Sequence, residues 1–291
     1  MINHTRCIIA GLLAGSVSSG FSAVPVLAAQ SAAPPAAVSA PAVTVPPSYA
    51  DLADLAESAP LVARAQVRKL ARLEPERSNG AKPGWGRFYV EAKTAALLAG
   101  DGMLSESLRY LADIPLDWRG RPPKLKKTQV LLFARAVPGK PGELQLIAPD
   151  AQLPWDQASE DRLRAILTER LSPDAPARIT GVREAIHVAG SLAGEGETQM
   201  FLGTGDGSAA TITVTRRPDS APAWGVSFSE VLEGGTPPPR DTLRWYRLAC
   251  FLPAALPPGV NLSDGAEALA QAEADYRLVI EALGPCGRTR R

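Results

Sequence analysis

From Ser48 the apolar residues Leu52, Leu55 and Ala56 fall on one helical face, and Ser48 with Asp51 three positions on has the form of a capping box. After Pro60 the period drops to two. Leu61, Ala63, Ala65 and Val67 alternate with Val62, Arg64, Gln66 and Arg68, which predicts a strand whose second face turns polar along its length. Phe88, Val90 and Ala92 alternate with Arg87, Tyr89, Glu91 and Lys93, and Leu108, Tyr110, Ala112 and Ile114 suggest a third strand. The stretch Gln129 to Arg135 is apolar on both faces through Val130, Leu131, Leu132 and Phe133, as expected of a central strand. A Pro138-Gly139-Lys140-Pro141-Gly142 turn then leads into Leu144, Leu146 and Ala148. Residues 48–153 are thus expected to form a small five-stranded β-barrel or sandwich behind a short helix, with the oligonucleotide- or oligosaccharide-binding type of barrel as one form of it.

A second unit is expected over residues 154–288. Asp156 and Ser159 offer helix caps, and Leu163, Ile166, Leu167 and Leu171 mark one face as far as Pro173. Strands follow at Val182, Ile186 and Val188, then at Met200 and Leu202. The Gly205-Asp206-Gly207 turn leads to Ile212 and Val214, which alternate with Thr211, Thr213 and Thr215; Trp224, Val226 and Phe228 give the next strand. Leu243 to Leu252 is apolar on both faces and is expected to be a central strand. The last helix has an acidic start at Asp264 and Glu267, an apolar stripe of Leu269, Ala272, Tyr276, Val279 and Leu283, and a Gly284-Pro285 stop. The chain as a whole is expected to be α+β and β-rich: the small barrel or sandwich, then an antiparallel β-sheet unit packed with two helices, then a basic tail at 289–291.

The start of the chain changes the picture. Arg6, an apolar run from Cys7 to Val17, and the small-x-small site Val26-Leu27-Ala28 have the layout of a secretory signal peptide spanning residues 1–28. Export follows, into a periplasm or out of the cell; an uncleaved leader acting as a membrane anchor is the alternative. No later run reaches the roughly 20 apolar residues of a membrane span, so no transmembrane segment is expected after the leader. Residues 29–47 are an Ala/Pro-rich linker, with prolines at 34, 35, 41, 46 and 47 that favour extended conformers.

Cleavage also removes Cys7. Cys250 and Cys286 remain, an even pair in an oxidising compartment, and a disulfide between them is expected to tie the end of the last helix to the sheet. It removes Arg6 as well and no acid, which brings the bases level with the 30 acids. A neutral chain has no long-range field to steer it to nucleic acid or to an anionic membrane.

Candidate chemistry is sparse. His187 is the only histidine after the leader and no metal site is expected; no cofactor is implied either. A G-x-S-x-G elbow and an S-x-x-K motif are both missing from the mature chain. Gly203-Thr204-Gly205-Asp206-Gly207 has strands on both sides, whereas a phosphate-binding loop opens into a helix, so it is read as a turn. Glu195, Glu197 and Asp206 are the carboxylates that could pair for glycoside hydrolysis. Between Trp118 and Lys127 the bases Arg119, Arg121, Lys124, Lys126 and Lys127 come without an acid; an aromatic among cations stacks on bases or sugars while the charges hold anionic groups. The expected function is that of an exported, non-enzymatic protein that binds or scaffolds another envelope component, a protein or a polymer. The alternatives are a cell-wall or polysaccharide hydrolase and a module for anionic polymers. Oligomeric state is left open by the sequence.

Overall fold

The computed structural model describes residues 46–101, 103–229 and 235–290. The expected leader and cleavage site, and all of the expected linker before Pro46, lie outside the described residues. Among the described residues, ten strands and four α-helices make up an α+β fold in which β-structure predominates.

Helix α1 (Tyr49–Ser58) opens the described chain, and its capping box forms as the sequence predicts: the Ser48 hydroxyl accepts from Asp51 N–H, and the Asp51 carboxylate accepts from Ser48 N–H. A six-stranded antiparallel sheet follows. Its path is β3 (Ser107–Pro115), β2 (Trp85–Ala99), β1 (Leu61–Arg72), β4 (Gln129–Ala136), β5 (Leu144–Leu146), with β6 (Gln152–Pro154) also paired to β4. Strands β1 and β2 form a long hairpin with three register shifts, near Val62, Arg64 and Val67, so its two halves serve different neighbours. The first half of β1 pairs with β4, while the second half runs beyond it. The two ends of the path are joined by bonds between isolated residues rather than by a ladder. Arg109 faces Glu143 in a parallel bridge, Arg109 N–H donates to Gly142 O at 2.8 Å, and Asp113 N–H donates to Pro149 O at 2.7 Å.

Helix α2 (Gln157–Leu171) is capped by Asp156, whose carboxylate accepts from Ser159 N–H and Oγ–H. It presents Glu160, only 3% exposed, to Arg64, Arg164 and the Trp155 indole N–H. Burial pushes the Glu160 carboxyl up, but those donors outweigh it and hold the group below its ordinary range. The second sheet is an antiparallel meander in the order β10 (Ala223–Ser227), β9 (Thr211–Arg216), β8 (Gly196–Thr204), β7 (Ile179–Ala189). Its inner face, which includes Ala185, Met200, Ile212, Val214 and Val226, is buried, and α4 (Ala266–Leu283) packs on β7 and β8.

One expected strand is a helix. Residues 243–249 form α3 (Leu243–Ala249), started by Thr242, whose hydroxyl accepts from Trp245 N–H. A short run that is apolar all round reads equally well as a buried strand or a buried helix, because neither face carries a polar period. Packing decides: α3 lies among α1, α2 and α4, with Trp245 donating to Leu283 O at 2.9 Å and Tyr246 donating to Asp54 at 2.5 Å. Cys250 and Cys286 stand at disulfide distance, with S–S 2.10 Å, but the bridge joins the end of α3 to the chain leaving α4 and does not reach a sheet.

Candidate ligand-binding surface

The half of β1 that outruns β4 leaves a strand edge beside residues 66–72, and the loop from Leu116 to Thr128 fills it. Lys127 N–H donates to Val67 O, Val67 N–H donates to Thr128 O, and the Gln66 amide donates to Lys127 O. Lys127 adopts a positive φ of 69° to make this turn, and half-buried Leu125 packs against the core behind it. At the other end of the loop Asp117 is the organiser. Its carboxylate accepts from Arg119 N–H at 2.9 Å, Arg121 N–H at 2.8 Å and the Arg121 guanidinium, and the turn closes at Gly120, whose φ is 71°. The backbone bond from Arg121, with the other donors, holds the Asp117 carboxyl below its usual range. Arg72 of β1 donates to Gly120 O, pinning this turn to the strand.

The result is a fixed cationic surface with an aromatic at its edge. Trp118 is 76% exposed, and the Arg119 guanidinium lies 4.3 Å from its ring centre. Lys124, Lys126 and Lys127 are exposed, and among the described residues no carboxylate pairs with them. The sequence reading missed Arg68 and Arg72, which are exposed on the same end of β1. Their signal was present in the Val67-Arg68-Lys69-Leu70-Ala71-Arg72 run. What hid it was the distance along the chain, which the β1 edge removes. Chemically, such a surface offers an aromatic–guanidinium pair to stack on a ring and several cations to neutralise phosphate, sulfate or carboxylate groups.

The carboxylates sort differently. Glu195 and Glu197 line one shallow concavity on the outer face of the second sheet, together with Gln199, Phe201, Arg216 and Arg217, while Asp206 lines another. Glu195 caps the β7–β8 turn, its Oε2 accepting from Ser191 N–H at 3.1 Å and Leu192 N–H at 3.2 Å. Glu197 accepts from the Gln199 amide at 2.6 Å. Asp206 folds its own turn by accepting from Ser208 N–H and Oγ–H, and those bonds keep its carboxyl below the ordinary range.

His187 belongs to a buried network on the inner face. Thr198 donates to Asp275 at 2.5 Å, so its hydroxyl proton is committed and the His187 Nδ1–H, 2.8 Å away, is the donor to Thr198 Oγ1. Arg216 and Gln271 complete the shell of Asp275. Among the described residues no group of three or more His, Cys, Asp or Glu side chains is placed to hold a metal ion, and no helix is long and apolar enough to cross a membrane. No protein-family model matches the chain, and no curated protein matches it with significant similarity.

Proposed function

We propose that the protein is an exported, non-enzymatic binding module that holds an anionic polymer of the cell envelope on the Trp118 loop. The observation that carries this reading is the loop's rigidity combined with its charge. Asp117 and Arg72 hold the turn that carries Trp118, Arg119 and Arg121, and Val67 bonds the backbone at Lys127, so a ligand meets an ordered surface and costs it little entropy. Export rests on the leader-like start of the sequence. N-terminal sequencing of the mature protein, expected to begin at Ala29, tests that part alone.

The binding test is a titration of the whole mature protein with a soluble sulfated or phosphorylated polysaccharide at several salt concentrations. Affinity falls steeply with salt if the cations carry it, and Lys124→Ala/Lys126→Ala/Lys127→Ala flattens that dependence. Trp118→Ala weakens binding without changing the salt slope. Absent or salt-insensitive binding overturns the reading. A hydrolase built on Glu195 and Glu197 has in its favour only their shared concavity, and Glu195 already serves the turn. Loss of a measured hydrolysis in a folded Glu197→Gln variant is the result that would favour it.

A further inference from the structure

The last described residues do not trail into solvent. They occupy a groove made by α1, the β5–β6 connection and the end of α3, where both guanidiniums, the Thr289 hydroxyl and the N–H groups of Thr289 and Arg290 find acceptors. The Arg288 guanidinium forks onto Asp54, with bonds of 2.6 and 2.9 Å, donates to Cys250 O at 3.2 Å, and lies 5.0 Å from the Phe251 ring centre. Thr289 gives its N–H at 2.9 Å and its hydroxyl at 2.6 Å to Asp51, which also accepts Arg290 N–H at 2.9 Å. The Arg290 guanidinium reaches the Asp150 carboxylate at 2.9 Å and its carbonyl at 3.1 Å.

Three carboxylates therefore receive an Arg-polar-Arg segment in extended contact, using both guanidiniums, the intervening hydroxyl and two backbone N–H groups. Such a pattern is specific. Bidentate arginine–carboxylate pairs fix direction, and backbone donors to a buried carboxylate fix register. Asp51 is fully buried, and without the tail its carboxylate would keep a single donor, Ser48 N–H, from its own helix. An unfilled groove thus presents carboxylates stripped of these donors, which a basic peptide restores.

We propose that the Asp51, Asp54 and Asp150 groove is a peptide-recognition site for a basic Arg-polar-Arg segment of a partner protein, kept closed in this chain by its own residues 288–290. Cys286, two positions before Arg288, is bonded to Cys250 at the groove's edge, so the tail competes from a tethered position. Short tethers correspond to effective concentrations of about millimolar, which is what a partner segment has to overcome. This inference is independent of the Trp118 surface, and neither depends on the other's outcome.

The test is fluorescence anisotropy with a labelled synthetic peptide, Gly-Arg-Thr-Arg, and the full-length mature protein. In one arm the groove stays filled by the wild-type tail; in the other, Arg288→Ala, Thr289→Pro and Arg290→Ala together strip the tail of its guanidiniums, its hydroxyl and one N–H donor. Circular dichroism confirms that the variant is folded. The vacated chain is expected to bind the peptide at least about tenfold more tightly than wild type, in keeping with removal of a tethered competitor. Adding Asp54→Ala to the vacated chain is expected to remove that gain. Equal binding by wild type and vacated chain overturns the proposal. So does a gain that survives Asp54→Ala, or a wild-type dimer formed by exchanging tails in place of peptide capture. Should the triple variant fail to fold, Arg288→Ala alone, which spares the Asp51 and Asp150 contacts, has to show the same order of affinities.

Discussion

Thr198 and Asp275 are joined across 77 positions of sequence by a 2.5 Å hydrogen bond at the centre of the β8–α4 contact, with both side chains fully buried. Asp275 is accepting from Thr198, Arg216 and Gln271 at once, so its charge is matched by a guanidinium and its lone pairs are filled. Replacing it by alanine leaves Arg216 without its carboxylate and Thr198 without its acceptor. Asp275→Ala is expected to lower stability by about 3 kcal/mol, the lower end for a broken buried ion pair because Arg216 keeps partial solvent access. Urea denaturation reads this directly, and a loss below about 1 kcal/mol would show that water replaces the carboxylate.

Gly142 combines a φ of 79° with a position where a Cβ would stand 2.5 Å from Ser107 O. Its carbonyl also takes the Arg109 N–H that joins the two ends of the first sheet. Gly142→Ala is expected to cost at least about 1–2 kcal/mol from backbone conformation alone, and more from the contact. Amide exchange at Arg109 should speed up beyond the change at β1 if the bridge is what is lost.

The tail contact is expected to be acid-sensitive. Burial pushes the Asp51 carboxyl up, yet the bonds from Thr289, Arg290 and Ser48 outweigh it, and the group is held below the ordinary carboxylate range. A carboxyl with a depressed folded-state pKa contributes stability that is fully present above its unfolded value and is lost as pH falls through the folded one. The Asp51→Asn variant should therefore differ most from wild type above about pH 4, where unfolded aspartate is ionised, and the two curves should converge as pH falls below that. A constant difference across that range would refute the ionic role of Asp51.

The disulfide closes a sequence separation of 36 residues. Cys250→Ser/Cys286→Ser is expected to lower stability by roughly 3 to 4 kcal/mol on the chain-entropy view, measured against the oxidised protein without reductant. Two reactive thiols in denatured, unreduced wild type would instead show that the pair is not bonded.

For the Trp118 loop, charge and order make opposite predictions about one residue. Asp117→Ala removes a negative charge from a cationic surface, which by simple electrostatics strengthens polyanion binding. It also removes the acceptor that orders Arg119 and Arg121. The proposal expects weaker binding, read in the same salt titration; tighter binding would mean that preorganisation of this loop is not what the ligand uses.

Local pattern carried the elements well wherever one face was wet. The alternation in β2 and β3, the caps of α1 and α2 and the stripe of α4 all rest on contrasts between neighbouring residues. It misled at Leu243–Ala249, where apolar residues on every side erase that contrast. The short strand β6 was missed because three residues hold no period. In the candidate surface, the Trp118 segment was legible as composition. The contribution of Arg72 was not, because only the fold brings its guanidinium to the Gly120 carbonyl.

The sequence by itself determined an α+β, β-rich protein, its strand and helix phases, the cysteine pair and the basic segment around Trp118, since each depends on residues close together in the chain. Only the tertiary structure decided that Leu243 to Ala249 is helical, that His187 is linked to Asp275 through Thr198, and that the tail closes on Asp51 and Asp54. Those outcomes depend on desolvation and on donors supplied from dozens to hundreds of positions away. A buried carboxylate has no fixed meaning until the fold selects its partners.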